Sequence, residues 1–208
     1  MWLLLLNVIV MPLGFLLIIY FLNWMGRKKK QKFNMKQKNS WLIAHIFFVI
    51  LYFGGLLGTF LMVVTTKFTD NRDIIYSAHL FIQYFDWFLI IPGGLGALLT
   101  GIWLAVRTHW GLTKHYWLLV KWIGNILAIV FGANFMRIWL HDNFKPVFNN
   151  PLHPLENALY LANRNMIFMG LLLSFSILAF LVIISYYKPW GKRKEKEKVN
   201  RIKTTGGM

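Results

Sequence analysis

Lysine and arginine in this chain cluster between long apolar runs, and that alternation constrains the fold more than any other feature. Seven of the 23 basic residues fall in one stretch: Arg27, Lys28, Lys29, Lys30, Lys32, Lys36 and Lys38. Eight more lie in the tail from Lys188 to Lys203. The connections expected on the opposite side carry only Lys67, Arg72, Lys145 and Arg164. Basic connections stay on the cytoplasmic side of a membrane, so the pattern predicts a multi-pass protein with this loop and tail inside. It also removes the usual meaning of a net charge of +16. A nucleic-acid patch needs a soluble domain to carry it, and the sequence leaves room for none. The expected partners are the bilayer itself and anionic lipids at the basic loop and tail. A membrane partner subunit or a second copy is a further expectation that the sequence leaves open.

The apolar runs set the number of spans. Hydrophobic residues make up 57% of the chain and charged residues 14%. A spanning helix needs about 20 apolar residues, because the hydrocarbon layer is about 30 Å thick and a helix rises about 1.5 Å per residue. Five segments qualify, at about 2–24, 41–66, 74–106, 116–140 and 165–187. The expectation is an all-α membrane protein with one polytopic domain over 1–190 and a basic cytoplasmic tail over 191–208. No charge precedes the first apolar run, and basic residues follow it closely, so it reads as a retained helix rather than a secretory signal. With that basic loop inside, the N-terminus is outside, and the membrane is a bacterial cytoplasmic one. Cysteine is absent, which excludes disulfides and thiolate sites. The third segment is too long for a bilayer, so either its outer end, Ile74 to Asp86, projects into the outer interface or Pro92-Gly93-Gly94 bends it. The last outer connection is expected to hold a short interfacial helix near Leu155 to Leu161.

Ionisable groups at mid-bilayer cost at least about 2.5 kcal/mol each, so their placement carries the functional information. Projected at helical spacing, the second segment gathers Trp41, His45, Phe48, Tyr52, Gly55 and Thr59 on one face. The third collects His79, Gln83, Asp86, Gly93, Ala97 and Thr100, and the fourth lines up Lys121, Asn125, Ala128 and Gly132. The first and fifth have almost no polar face and are expected to pack outside the other three. His45 and Lys121 each lie just over one turn from the inner ends of their helices and share a level. Two readings stand beside each other. Each group can serve locally: histidine by bonding a carbonyl, lysine by snorkelling, the glycines by close packing. Together they can also form a haem site, with His45 as the iron ligand, Lys121 as partner of an anionic group and small residues opening a slot. The rival expectation from another class is a non-enzymatic accessory subunit or small transporter with a polar cavity around His79, Gln83 and Asp86.

The order of motifs resembles a known group. His45, six residues and then Tyr52-Phe53-Gly54-Gly55 resembles the His-x6-Trp/Tyr-x-Gly-Gly opening of the CopD-like and HemJ-like membrane proteins. The run from Pro92 to Gly101-Ile102-Trp103-Leu104 is similar to their helix ending in Gly-x-Trp-Leu, and Trp117-Leu118-Leu119-Val120-Lys121 to their Trp-x-x-x-Lys element. The likeness spans about residues 41–140 and is nearest to uncharacterised bacterial integral membrane proteins of that type. It implies a four-helix core with flanking helices. It also implies haem b on His45, a required lysine at Lys121, Tyr52 and Gly55 in the cofactor site, and a possible membrane oxidoreductase activity on protoporphyrinogen. The chain departs from HemJ-like proteins after Gly55, where Leu56-Leu57-Gly58-Thr59 replaces the segment in which they carry an arginine.

Overall fold

The computed structural model describes residues 2–28, 32–149 and 153–191. Lys29, Lys30, Pro151 and the basic tail beyond Gly191 lie outside the described residues. Five rods among the described residues are long and apolar enough to cross a membrane: Val8–Gly26, Met35–Thr65, Arg72–Arg107, Tyr116–Phe144 and Ala158–Tyr187. Their lipid-compatible surface is broad, with Leu17, Phe47, Phe88 and Ile183 among many exposed large apolar side chains.

The first span is α1 (Trp2–Lys28), which accommodates Pro12. The second is α2 (Met35–Thr65), and it begins well before the apolar run that marked it in the sequence. The cause is a capping box. Asn34 Oδ1 accepts from Gln37 N at 2.8 Å, and Gln37 Oε1 accepts from Asn34 N at 3.3 Å, so the polar turn Met35–Ser40 is already helical. The third rod joins α3 (Arg72–Phe85) to α4 (Ile91–Arg107) through one π-helical turn, Asp86–Ile90. The expected irregularity is present, but it lies just before Pro92 rather than at the Pro-Gly-Gly. Pro92 has no N–H to give the Phe88 carbonyl, and its ring crowds that group. The preceding turn widens instead, with Ile91 N–H reaching back to Asp86 O.

The fourth rod repeats this device: α5 (Tyr116–Phe131), a π turn at Gly132–Met136, then α6 (Arg137–Asn149). It runs past the end expected near residue 140. The interfacial helix expected near Leu155 to Leu161 is replaced by a single 3-10 turn, Pro154–Glu156, and the last span, α7 (Ala158–Tyr187), starts at once. Asn157 caps it by accepting from Leu159 N and Tyr160 N at 3.0 and 3.1 Å. Two polar residues of this stretch find partners inside the bundle. Arg164 Nη1 donates to Thr66 O at 2.6 Å, and Tyr160 meets His79.

α2 packs along α4 more extensively than any other pair. Their backbones close on glycines. A Cβ on Gly93 would lie 2.5 Å from Tyr52 N and 2.8 Å from Tyr52 Cα, one on Gly96 would strike the Phe48 ring, and one on Gly101 would sit 3.1 Å from His45 Cε1. The expectation that the fifth span packs outside is not met. α7 lies against α2, α5 and α6 and buries Tyr160, Ile167, Leu171 and Ile184, while α1 is the peripheral helix. A small apolar face suffices in lipid, so the lack of a polar stripe said nothing about burial.

Gly93→Ala should lower stability by about 1–3 kcal/mol, because the added methyl meets backbone that cannot yield. Gly54→Ala, with nothing within 4 Å, should be neutral or slightly stabilising. Thermal unfolding of the two variants in detergent checks this, the first melting below the parent and the second not.

Candidate functional site

Of the sequence-predicted polar residues, His45, Tyr52, Lys121 and Asn125 are brought together toward the end of the bundle that carries Lys28, Lys36, Lys38 and Arg107, here the basic end. A cavity of about 240 Å³ opens between α2, α4, α5 and α7. His45 and Tyr52 line it from α2, Gly101 from α4, Lys121, Trp122 and Asn125 from α5, and Ser185 from α7. A chamber of about 160 Å³ shares His45, Gly101 and Lys121 with it and adds Lys38, Trp110 and Trp117 toward the basic end. His45 and Lys121 therefore share one level, as their distances from the helix ends implied. The other face leads sideways. The lining residues Ile46, Ile50 and Val182 are 48%, 63% and 53% exposed, so the cavity opens between α2 and α7 onto the lipid-facing surface.

His45 is held by α4. Its Nδ1 lies 2.9 Å from Thr100 Oγ1, and that hydroxyl lies 2.6 Å from Gly96 O. The Thr100 hydroxyl has one proton, and it goes to the carbonyl. The oxygen therefore accepts from His45 Nδ1–H, and the imidazole keeps its lone pair on Nε2. A histidine oriented through one ring nitrogen is the arrangement that makes the other a ligand or a base.

The walls are mainly aliphatic, and their polar groups are mostly donors. Lys121 has three N–H bonds, Asn125 two and the Trp122 indole one. Trp122 Nε1 and Ser185 Oγ are buried without a hydrogen-bond partner, an expensive state in a bilayer. Among the described residues no carboxylate lines this cavity. The site favours an apolar body bearing acceptor or anionic groups, reached from the membrane. No cluster of three or more histidine and carboxylate ligands occurs among the described residues. A metal at His45 would need to bring most of its own ligands.

Of the other residues singled out from sequence, Gly55 does not line the cavity. It is a packing position, where a Cβ would stand 2.7 Å from Ile90 Cγ1. His79 is buried near the opposite end, its Nε2 3.2 Å from Tyr160 Oη. Gln83 is half-buried one turn before Asp86. Asp86 opens the first π turn and lines a separate cavity of about 50 Å³ with Thr59, Arg137 and Ser174. The structure thus separates His79 from Asp86, where the sequence grouped them. Trp122, Ser185 and the cavity shared by Arg137 and Asp86 were not legible as site features. Thr100 falls on the helical face that the sequence marked with Asp86, Gly93 and Ala97.

Over residues 40–189 the chain matches the family described as predicted integral membrane protein (DUF2269). It belongs to that family. The matched region takes in α2 to α7, the walls of both cavities, and leaves out α1. No curated protein and no solved structure matches the chain.

Because cysteine is absent, a single introduced thiol reports cavity access cleanly. Asn125→Cys should react with N-ethylmaleimide in membranes severalfold faster than Val63→Cys, whose side chain is buried away from this cavity. Equal rates would mean the cavity is closed.

Proposed function

We propose that this chain is a haem b-binding integral membrane protein with a redox or haem-handling role, the macrocycle lying between α2, α4, α5 and α7. The observation that carries the reading is His45, oriented by Thr100 through Nδ1 and lining a lipid-accessible cavity together with Lys121. The residues fit the group. Haem iron comes with four ring nitrogens and asks the protein for axial bonds, which one histidine supplies. In this reading His45 Nε2 would ligate the iron, Thr100 would fix its tautomer and ring plane, Lys121 and Asn125 would hold propionate oxygens, and the aliphatic walls would exclude water. Bound haem supplies one-electron chemistry at iron, and the protein sets its potential through the ligand and its burial. The resemblance of the His45, Tyr52 and Lys121 motifs to CopD-like and HemJ-like proteins supports the same reading. So does a bacterial cytoplasmic-membrane setting in which the basic end faces inward and binds anionic lipids, with the N-terminus outside.

The rival reading, an accessory subunit or small transporter, draws on one observation: Asp86 and Arg137 share a small polar cavity inside the membrane. Without His79 at that cavity, its original grouping is reduced to Asp86.

Protein purified in detergent from cells supplied with a haem precursor should show a Soret band that shifts on dithionite reduction. His45→Ala should lose it. Thr100→Val, which keeps the shape but removes the acceptor for Nδ1–H, should weaken haem retention by about 10- to 100-fold. A featureless spectrum from well-folded protein, or a His45→Ala variant with full haem, overturns the reading.

A further inference from the structure

Two sets of positions, polar apart from Gly93, repeat every seventh residue. On α2 and its C-cap they are His45, Tyr52, Thr59 and Thr66; on the α3–α4 rod they are His79, Asp86, Gly93 and Thr100. The rods are antiparallel, and the sets meet level by level. His45 meets Thr100 through a hydrogen bond of 2.9 Å, and the Tyr52 backbone meets Gly93. Thr59 and Asp86 line one cavity. Thr66 and His79 both engage α7, through Arg164 and Tyr160. Successive levels are about 10 Å apart, two helical turns. The ladder runs from the basic end to the other end of the bundle.

Three of the four levels also receive a polar group from another helix. Lys121 and Asn125 stand at the His45 level, Arg137 and Ser174 at the Asp86 level, and Tyr160 and Arg164 at the His79 level. The groups facing Asp86 from the surrounding elements are Tyr52 and Thr59 on α2, Arg137 on α6 and Ser174 on α7. Tyr52 lines both the 240 Å³ cavity and the 50 Å³ cavity, so it is the shared wall between them. The smaller cavity has room for several waters, since one needs roughly 10–15 Å³ measured this way. It is bordered by both π turns, by way of Asp86 and Gly132, and such turns concentrate at functional sites.

We infer that this seam is a proton path: protons move between the His79–Tyr160 end and the His45–Lys121 cavity through Asp86 and its waters, with Tyr52 as the intervening relay. The chemistry of the middle level selects the proton. A carboxylate can take one up and release it. The hydroxyls of Thr59 and Tyr52 both donate and accept, so each can pass one proton on as it receives another, with no net change; Ser174 Oγ gives its proton to Gly170 O and offers an acceptor. The Arg137 guanidinium keeps its charge and repels a metal cation from the same small space. Thr59 Oγ1 and His79 Nδ1 are buried without a partner, two open positions along the route. The inference is independent of what occupies the larger cavity.

The test uses the full chain, purified and reconstituted into liposomes that hold a pH-sensitive dye, with a potential set by potassium and valinomycin. Internal acidification should be severalfold faster than in protein-free liposomes. Asp86→Asn should return it to the protein-free rate, Thr59→Val should slow it severalfold, and Asp86→Glu should keep most of it. Ser176→Ala, exposed and away from the seam, should leave it unchanged. Parent protein no faster than empty liposomes, or Asp86→Asn as fast as the parent, overturns the path. If Asp86→Asn does not fold, Thr59→Val and Asp86→Glu decide, and parental flux in Thr59→Val then counts against the path. The Soret band of Asp86→Asn separates this from the haem reading, because haem binding should survive while flux is lost.

Discussion

Close approach of α2 and α4 is the contact on which the rest of the structure depends. In lipid, apolar side chains gain little by leaving the solvent, so helices associate through dispersion at short range and through hydrogen bonds. Gly93, Gly96 and Gly101 allow that range by leaving space that the backbone or rings of Tyr52, Phe48 and His45 occupy. The same approach brings Thr100 within hydrogen-bond distance of His45. The seam that holds the bundle together is also what orients the one histidine in the large cavity.

That cavity exists because the other helices do not approach as closely. Its α5 and α7 walls carry Lys121, Trp122, Asn125 and Ser185, side chains too long or too polar to interdigitate tightly across a bilayer interior. Lysine and tryptophan at this depth have two ways to lower their cost: snorkel to the interface, or face a space that a polar ligand can share. The chamber leading past Lys38 and Trp110 gives Lys121 the first. The buried Trp122 and Ser185 atoms have no such exit.

Much of this was legible in the sequence, for a physical reason. Spans follow from length and apolarity, and the polar faces of the second to fourth spans follow from helical periodicity, so His45, Tyr52, Lys121 and Asn125 could be placed together. What was missed depends on tertiary partners. α7 was read as an outer helix because it lacks a polar stripe, but in a membrane an apolar face can be buried as readily as exposed. Its start lies in the stretch expected as outer connection, and Arg164 is held there by Thr66 O, just past α2, and by the Tyr160 ring. Gly55 looked like part of a ligand slot, whereas Leu89 and Ile90 fill the space beside it. The π turns have no simple sequence signal, although Pro92 marks where one of them had to form.

The seven-residue repeat separates two tasks along one seam. On α2, seven residues at 3.6 per turn drift by only about 20° per repeat, so its levels remain on one face; on the α3–α4 rod the π turn at Asp86–Ile90 interrupts that count, and the register is given by the contacts of Asp86, Gly93 and Thr100. A single polar residue on such a face is a cost without return. A set at every second turn, in antiparallel register with a second set, places a group able to hydrogen-bond at each level, with glycine at Gly93 where Tyr52 needs the room. Asp86 is the member hardest to account for by packing, since its carboxylate is too short to snorkel from mid-span and its cavity already holds Arg137. Lys121 stands beside the His45 imidazole and Arg137 beside the Asp86 carboxylate, so the two cavities differ in charge as well as in chemistry. One lacks a carboxylate among its described lining and suits an anionic guest; the other supplies its own carboxylate and suits a proton. Tyr52, as their common wall, is the residue through which events in one would be felt in the other.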